Sequence, residues 1–311
     1  MTTDPVVDLR TTLGAVPVDR DVVRVAGPEA VTYLQGQVSQ DVAALAPGTS
    51  AWSFVLQPTG KVDAWVRLTR VADDEVVLDV DGGHGETLLG RLRRFLLRTK
   101  AEVEPLAWRA VALRGPGAEA AAAAADVGDG LRVAAGWPGV EGVDLLGPDV
   151  APPPGVAGAG PEDYASLRIR SGIPALGAEL TGATIPAEAG QQVIDASVDF
   201  TKGCFTGQEL VARIDSRGGR VPRLVRGLVV PGSVAPAVGA AGVVAGSEVG
   251  HVTSVAPAPG GGSVALAVVG RAVVPGADAE VAGLAATVTD LPIARGTATV
   301  RRDDVTNPRT S

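Results

Sequence analysis

The chain has 311 residues, of which 46% are apolar but only 3% aromatic, and its formal net charge is −8. This length predicts two or three domains with mainly aliphatic cores. The negative charge argues against stable DNA binding and against attachment to anionic membranes. No apolar run reaches the length of a membrane span and the N-terminus lacks a secretory signal, so we expect a cytoplasmic protein without a membrane partner.

Hydrophobic periodicity predicts a mixed α and β structure over the first hundred residues. Alternating apolar residues indicate strands at 22–26, 52–56, 62–71 and 75–81. A short helix is expected at 28–36. An amphipathic helix is expected at 88–98, with an apolar side formed by Leu88, Leu89, Leu92, Phe95 and Leu96.

A second mixed unit follows from residue 110. We predict a strand at 110–113, an alanine-rich helix at 118–125, short strands within 131–146 and a helix at 161–171. The intervening segment 148–160 is rich in Pro, Gly and Ala, which is typical of a surface loop. Beyond residue 219, short valine-rich strands alternate with Pro and Gly and include a hairpin at 257–262, a pattern that indicates an all-β module.

The only cysteine, Cys204, lies in a glycine-flanked turn. Alternating apolar residues predict a strand at 193–200 before it, and helical spacing predicts a helix after residue 209. Thr206 and Glu209 fit a capping box, with Thr206 at the N-cap and Glu209 bonding back to free backbone N–H groups. The sequence therefore predicts a strand, a sharp turn with the thiol, and a capped helix.

This placement gives Cys204 two interpretations. The thiol is next but one to Lys202 and near the positive end of a predicted helix dipole, and both features favour the reactive thiolate. Gly203 and Gly207 would let the backbone approach a ligand closely or adopt positive φ. Alternatively, the glycines only build a sharp turn and the thiol packs as a small hydrophobe. The spacing alone leaves both interpretations open.

The segment from Lys202 to Arg213, Lys-Gly-Cys-Phe-Thr-Gly-Gln-Glu-Leu-Val-Ala-Arg, resembles the signature of the YgfZ family, folate-binding relatives of the glycine-cleavage aminomethyltransferase (T-protein). The resemblance spans nearly the whole chain. Further matching blocks follow in order at Val25–Asp41, Gln57–Asp63, Arg94–Lys100, Arg168–Pro174 and Val249–Ser254.

The resemblance implies an α+β fold: two interwoven α+β lobes plus a small C-terminal β-barrel around a central cleft. We place the lobes in residues 1–222, the barrel in 223–302 and a flexible tail in 303–311. The function it implies is binding of tetrahydrofolate or a derivative in support of the assembly or maintenance of iron–sulfur enzymes, including tRNA-modifying ones. The expected partners are therefore folate and iron–sulfur client proteins.

The resemblance also implies the site residues. Cys204 would be the working residue, as a thiolate that takes up a one-carbon unit or touches a cluster transiently, with Lys202 promoting the thiolate. Tyr164 aligns with a position expected to line the folate site. The other expected contacts, which include residues that fix the loop, are Gln57, Lys61, Asp63, Gly203, Gly207, Gln208, Glu209 and Arg213.

Two departures from the aminomethyltransferase pattern bear on activity. Those enzymes carry two adjacent acids where this chain has Asp63 followed by Ala64. Where they carry a pterin-recognising glutamate, this chain has Arg170, and a guanidinium offers no hydrogen-bond acceptor. Both changes weaken the case for methylene transfer. A tetrahydrofolate-dependent aminomethyl- or methyltransferase and a non-enzymatic scaffold remain the alternatives.

Other chemistry has less support in the sequence. The two histidines, His84 and His251, lack a motif that would orient them as a base for Cys204. One thiol and two imidazoles do not make the usual ligand set of an iron–sulfur cluster, so we expect no resident metal. Two basic clusters, at 91–100 and 213–226, are either solvated faces or landing places for an anion such as a polyglutamate tail or an RNA phosphate.

Overall fold

A computed structural model describes residues 6–294. Strand β1 (Gly14–Val18) has its hydrogen-bonded neighbour almost a hundred residues later in the chain. The chain first completes a separate five-stranded antiparallel sheet in the order β3-β4-β5-β2-β6. Its strands are β2 (Arg20–Ala26), β3 (Ser50–Leu56), β4 (Val62–Ala72), β5 (Glu75–Asp81) and β6 (Glu102–Leu106).

Helices α1 (Ala30–Gln35) and α2 (Gly85–Arg94) cover one face of this sheet. Apolar residues at helical spacing turn one side of each helix toward the strands. The fully buried side chains Leu34, Leu88 and Leu92 pack there against valines and leucines of β2, β4 and β5. This aliphatic core supports the sheet from behind.

The chain then returns to β1. Strands β7 (Arg109–Arg114), β8 (Leu131–Ala134) and β9 (Gly142–Gly147) form with it a four-stranded antiparallel sheet in the order β1-β7-β9-β8. Helix α3 (Ala118–Ala124) packs on this sheet through Ala118 and Ala122. Because β1 is separated from β7 by the whole first sheet, the two lobes are interwoven, as the family resemblance implied.

Three more helices precede the C-terminal barrel: α4 (Pro161–Arg170), α5 (Gln191–Ser197) and α6 (Gln208–Ser216). A short 3₁₀ helix, Pro186–Ala189, lies before α5. Six strands then close into the predicted barrel, in the order β10-β13-β12-β11-β14-β15. They are β10 (Arg223–Val230), β11 (Ala241–Val244), β12 (Ser247–Pro257), β13 (Ser263–Gly270), β14 (Asp278–Val281) and β15 (Leu284–Thr289).

The α+β fold with a C-terminal barrel is confirmed, but three local predictions were wrong or incomplete. The segment 193–200 was predicted as a strand, whereas Gln191–Ser197 is helix α5, which buries Val193, Ile194 and Ser197. Helix α2 ends at Arg94, so part of the basic cluster at 91–100 lies in the loop after it. Strands β1 and β6 were not predicted, and the proposed tail 303–311 lies outside the described residues.

Arg170 of α4 ties the N-terminal segment to the chain that follows the barrel. Its Nη2 donates to Asp8 Oδ1 at 2.7 Å, and its carbonyl accepts from Arg10 Nη2 and from the backbone N–H of Ile293. Arg10 also donates to the Ile293 carbonyl. Arg170 is thus a buried structural residue.

Within residues 6–294, none of the helices has the length and apolar character that a membrane span requires.

Candidate functional site

Cys204 is exposed on the loop that joins α5 to α6. The loop begins with a turn held by the Asp199 carboxylate. Its Oδ1 accepts from the Thr201 backbone N–H and hydroxyl, both at 2.7 Å, and from the Lys202 N–H at 3.1 Å. The bonds from Thr201 lower the pKa of Asp199, so the carboxylate that orders the turn stays ionised at neutral pH.

Lys202 anchors the loop to the chain after α1. Its Nζ donates to the carbonyl oxygens of Gln35, Val38 and Gln40 at 2.8, 2.7 and 2.7 Å. An ammonium has three N–H donors, so these carbonyls can use all of them. Burial lowers the pKa of Lys202 to about 8, against the opposing charges of Asp41 and Asp199. The predicted action of Lys202 on the thiol remains a prediction.

The predicted capping box is wrong. The N-cap of α6 is Gly207, in the left-handed conformation at φ +83°, and no side chain caps the helix. Thr206 instead bonds Gly36, donating its backbone N–H to that carbonyl at 3.1 Å. Gln208 Oε1 accepts from the Phe205 backbone N–H at 3.0 Å. Gln208 thus stabilises the turn after the cysteine from inside α6.

The turn Gln57–Lys61 packs directly against the start of α6. A Cβ on Gly207 would lie 2.5 Å from the Gln57 carbonyl oxygen, and one on Gly60 would lie 2.5 Å from Leu210 Cβ. The Gln57 side chain donates to the Gly182 carbonyl at 3.2 Å. Two segments more than 140 residues apart in sequence therefore meet through a pair of glycines with positive φ.

Asp63 is held by an arginine of the first lobe. Its Oδ2 lies 3.3 Å from Arg91 Nε, and Arg91 also donates to Gln37 Oε1 at 3.0 Å and to the Leu56 carbonyl. Gln37 follows Gly36, which contacts the cysteine loop. Asp63 therefore belongs to the same neighbourhood as the Gln57–Lys61 turn.

Four of the expected contact residues lack side-chain interactions within the described part of the chain. Gly203 is exposed, and a Cβ placed on it would meet nothing within 4 Å. Glu209 and Arg213 lie on the exposed side of α6, and the half-buried Lys61 presents its ammonium without an ion-pair partner among the described residues. The backbone at Gly203 and the three charged side chains are therefore available to a ligand.

Tyr164 lies apart, in an aromatic and cationic cluster between the two sheets and α4. Its ring centroid is 5.3 Å from that of Trp137, tilted by 50°. The guanidinium carbon of Arg114 is 4.5 Å from the Trp137 ring and 5.5 Å from the Tyr164 ring. Burial raises the pKa of Tyr164, so its hydroxyl is neutral at physiological pH.

Beside this cluster, buried charges join the two sheets. Arg67 of β4 makes two bonds to Asp79 of β5, both at 3.0 Å, and a third to Asp144 of β9 at 2.6 Å. Asp144 also pairs with Arg114 of β7 at 2.7 Å. Burial alone would raise the pKa of Asp144, but Arg114 and Arg67 hold it well below its ordinary value. We call this set the arginine network.

Stacked tryptophans connect the arginine network to the cysteine loop. Arg67 lies over the Trp52 ring, which stacks on Trp65 with centroids 4.0 Å apart. Trp65 Nε1 donates to Ser197 Oγ at 2.8 Å, at the end of α5. Ser39 Oγ donates to the Ser197 carbonyl at 2.6 Å, just before the loop begins. A continuous series of contacts thus links the arginine network to the cysteine loop.

Sequence reasoning missed the arginine network and the tryptophans, although a signal exists. Arg67, Asp79 and Asp144 each lie between two apolar neighbours in a strand, and Arg114 ends a strand after an apolar run. A charge in a strand that is buried on both faces requires a partner of opposite sign. This pattern predicts pairing, but it does not identify which strands pair.

This architecture is shared with a known protein. No protein-family model matches the chain. A crystal structure of the glycine cleavage system aminomethyltransferase T from Bartonella henselae superimposes with a TM-score of 0.75 at 22% identity, covering 92% of this chain and 88% of that one. The chain has the fold of this aminomethyltransferase.

Several proteins are also similar in sequence. An aminomethyltransferase from Streptomyces coelicolor is 29% identical over 272 residues, which cover 76% of this chain and 72% of that protein. An uncharacterised Haemophilus influenzae protein is 28% identical over 200 residues, or 63% of this chain and 66% of that protein. A mitochondrial iron–sulfur cluster assembly factor homologue from Mycosarcoma maydis is 29% identical over 68% of this chain and 55% of its own length.

The aminomethyltransferase fold allows the folate prediction to be compared with the residues present. A pterin requires a flat wall and paired hydrogen-bonding groups. Tyr164 and Trp137 supply aromatic surface, and the adjacent Arg114 has a buried Nε without a hydrogen-bond partner among the described residues. Aromatic surface and an unused donor are the kinds of group that a flat, hydrogen-bonding ring requires. A paired carboxylate is not available from Asp144, which is held between two arginines.

Proposed function

We propose that the chain is a YgfZ-type, folate-binding protein that supports the assembly or maintenance of iron–sulfur enzymes, including tRNA-modifying ones, through Cys204. The observation that carries the proposal is the position of the Cys204 thiol. It is exposed at the tip of a loop whose two ends are fixed by Asp199, by the Lys202 ammonium and by the packing of Gly207. A buried, inert thiol would not need this support.

Similarity to two kinds of protein agrees with this proposal. The chain matches aminomethyltransferases over about three quarters of its length and also matches an iron–sulfur cluster assembly factor homologue. Reduced folate would supply a one-carbon unit carried on nitrogen. Tyr164 and Trp137 would hold the ring, and the unpaired cations Lys61 and Arg213 would attract the anionic glutamate end.

Arg170 separates this function from glycine cleavage. Its guanidinium is buried and committed to Asp8 and to the Ser166 carbonyl. It supplies no acceptor for the pterin, so recognition would depend on the aromatic pair and on neutral donors. We therefore infer a weaker and looser folate site than one built around a free carboxylate.

Replacing Cys204 with Ser tests the function. The side chain is exposed, so the variant should unfold at the wild-type Tm. In cells that lack the natural protein, the variant should fail to restore the activity of iron–sulfur enzymes, whereas Ser216→Ala, an exposed change on the same loop–helix unit, should restore it. Full restoration by Cys204→Ser would contradict the proposal.

Calorimetric titration with tetrahydrofolate tests the ligand. We expect binding that weakens about tenfold in Tyr164→Ala, because stacking of a heterocyclic base on an aromatic side chain contributes ~1–3 kcal/mol. Absence of binding to the wild type at millimolar ligand would support a non-enzymatic scaffold instead.

A folate-dependent aminomethyl- or methyltransferase is the second candidate, favoured by the match to the Streptomyces enzyme. This chemistry would require Asp63, whose carboxylate is paired with Arg91 but still a quarter exposed. Carbon transfer to or from tetrahydrofolate that is lost in Asp63→Asn, and retained in Cys204→Ser, would establish this activity in place of the first.

A further inference from the structure

A groove runs alongside α6, on the side of the molecule that carries the cysteine loop. It has an apolar compartment and a polar one. The apolar compartment is lined mainly by side chains of the 3₁₀ helix region, the cysteine loop and α6: Ile185, Pro186, Phe200, Val211 and Ile214. The polar compartment has a volume of about 390 Å³ and lies where the barrel meets the lobes, with Arg226 and Arg271 in its wall.

The two compartments are continuous. Ala187, Gln191 and Gly219 line both of them. The depression therefore extends from the cysteine loop, past the end of α6, to the barrel. An extended chain segment can occupy such a path, because successive side chains can reach different compartments.

Phe200 marks the apolar end of the groove. Its side chain is 46% exposed, although most large apolar residues of the described chain are buried. It lies four residues before Cys204 and forms part of the apolar wall. Exposed aromatic surface beside a recess is typical of a contact site for a bulky side chain of another molecule.

The segment that supplies Gly218 and Gly219 to the groove wall has a charge opposite in sign to that of the whole chain, although its Asp215 lines the apolar compartment. Residues 213–226 contain five arginines and one aspartate, whereas the net charge of the chain is −8. Arg223 and Arg226 are paired with Glu188 and Asp290. Arg213, Arg217 and Arg220 are exposed, and within residues 6–294 they form no ion pair. These free guanidinium groups are complementary to carboxylates.

We propose that this groove binds an extended acidic segment of a partner protein that carries a bulky apolar side chain. The apolar side chain packs on Phe200 and Ile214, and carboxylates on either side of it pair with Arg217, Arg220 and Arg271. The identity of the partner as an iron–sulfur client, brought next to Cys204, rests on the proposed function. Nucleic acid is less favoured, because the recess is aliphatic and Phe200 is its one aromatic wall residue.

Selection of peptides on the full-length protein tests the proposal. Random short peptides displayed on phage are panned against the wild-type protein, and an enriched peptide is synthesised with a fluorescent label. We expect enriched peptides to combine Asp or Glu with Leu, Ile, Phe or Trp. Their affinity, measured by fluorescence anisotropy, should fall about tenfold or more in Phe200→Ser and in the double variant Arg217→Glu/Arg220→Glu.

Matched controls are available elsewhere on the surface. Val234→Ser removes an exposed apolar side chain of the barrel, and Arg109→Glu reverses an exposed charge of β7. Neither should weaken the peptide. Thermal unfolding of all four variants checks that each is folded; Arg217 and Arg220 are exposed, so the charge variant tests the groove even if Phe200→Ser is unstable.

Several outcomes would overturn the proposal. They are failure to enrich any peptide, equal binding of the enriched peptide to the groove and control variants, or binding of a tRNA transcript that is lost in the groove variants while no peptide binds. Self-association that disappears in Phe200→Ser would assign the groove to a second copy of the chain.

The test also separates this proposal from the proposed function. Peptide binding should persist in Cys204→Ser, since the thiol does not line the groove. If the peptide binds as expected but Cys204→Ser restores iron–sulfur enzyme activity in cells, the groove stands and the function fails. If no peptide binds but Cys204→Ser is inactive in cells, the function stands and the groove fails.

Discussion

A single ammonium group fixes the position of the cysteine loop. Three backbone carbonyls, one from the last residue of α1 and two from the segment after it, converge on Lys202 Nζ at 2.7–2.8 Å. The Gln35 carbonyl, at the end of a short helix, lacks an intrahelical partner, and the lysine satisfies it. The Lys202 aliphatic chain also brings the charge within 5.3 Å of the Phe205 ring centroid. One residue therefore holds both sides of the loop.

Replacing Lys202 with Met should destabilise the protein by about 1–3 kcal/mol, because charge-assisted hydrogen bonds are lost and half-buried carbonyls are left without a donor. The measurement is urea unfolding. Lys61→Met is the matched control, since that ammonium has no ion pair within the described chain, and it should unfold as the wild type does. Equal midpoints for both variants would show that the carbonyl contacts do not contribute to stability.

Lys202 also predicts a dependence of stability on pH. Burial lowers its pKa to about 8 from an ordinary value of 10.5. Between these values the unfolded chain binds more protons than the folded one, so this group's contribution to the unfolding free energy rises with pH. The difference between the wild type and Lys202→Met should therefore grow from about pH 8 to about pH 10.5. A difference that stays constant across this interval would contradict the assignment.

At the scale of elements, two turns pack directly against each other because each has a glycine at the contact, where a side chain would not fit. Gly207 at the start of α6 and Gly60 in the Gln57–Lys61 turn both have positive φ and face each other closely. Gly203, which the sequence motif places in the same loop, has open space around it. The two loop glycines therefore have different physical roles.

Gly207→Ala should destabilise the protein by about 2 kcal/mol or more, because positive φ strains alanine and its Cβ would overlap the Gln57 carbonyl oxygen. Gly203→Ala is the internal control and should leave the Tm unchanged. Thermal unfolding of both variants provides the comparison. If Gly203→Ala is the more damaging of the two, the packing described for this junction is incorrect.

Helix α5 shows why local sequence patterns predict most of the helices and strands correctly but not this helix. Apolar residues at 194, 196 and 198 alternate as in a strand, yet Val193, Ile194 and Ser197 are buried at helical spacing. In a run of seven residues the two periods cannot be told apart by sequence. Longer elements such as β4 and α4 carry enough turns or alternations to be predicted.

At the scale of the molecule, buried charges hold the two sheets in register. Asp144 accepts from Arg67 of one sheet and Arg114 of the other, and all three side chains are at least nine-tenths buried. Pairing in a low-dielectric interior compensates for the loss of hydration only if every member is present. The network therefore makes the relative position of the lobes sensitive to one carboxylate.

Asp144→Ala should lower the free energy of unfolding by about 3–5 kcal/mol, because it leaves the buried guanidinium of Arg114 without its counter-charge and removes one of the two carboxylates that Arg67 contacts. Asp73→Ala removes a carboxylate that is 93% exposed in an ion pair with Arg70 and should cost about 0.5 kcal/mol or less. Chemical denaturation of both variants gives the comparison. Similar losses would mean that the interior pairing has no special weight.

The contents of the candidate site could be predicted from sequence only in part. Local spacing indicated the Cys204 turn and the Gln57–Lys61 turn, and family resemblance added Tyr164. That the first two touch depends on contacts between residues more than a hundred positions apart, and Tyr164 packs elsewhere, against Trp137. Such contacts are set by tertiary packing, which a single sequence does not encode in any local pattern.

The hydrogen bonds around Arg170 have a consequence for synthesis of the chain. Asp8 and Arg10 have long-range partners at residues 170 and 293, and β1 pairs with a strand that begins near residue 109. A ribosome delivers these partners long after the N-terminal segment has left the exit tunnel. The edge of β1 therefore stays unpaired until those residues have been synthesised, and an unpaired strand edge is prone to aggregation.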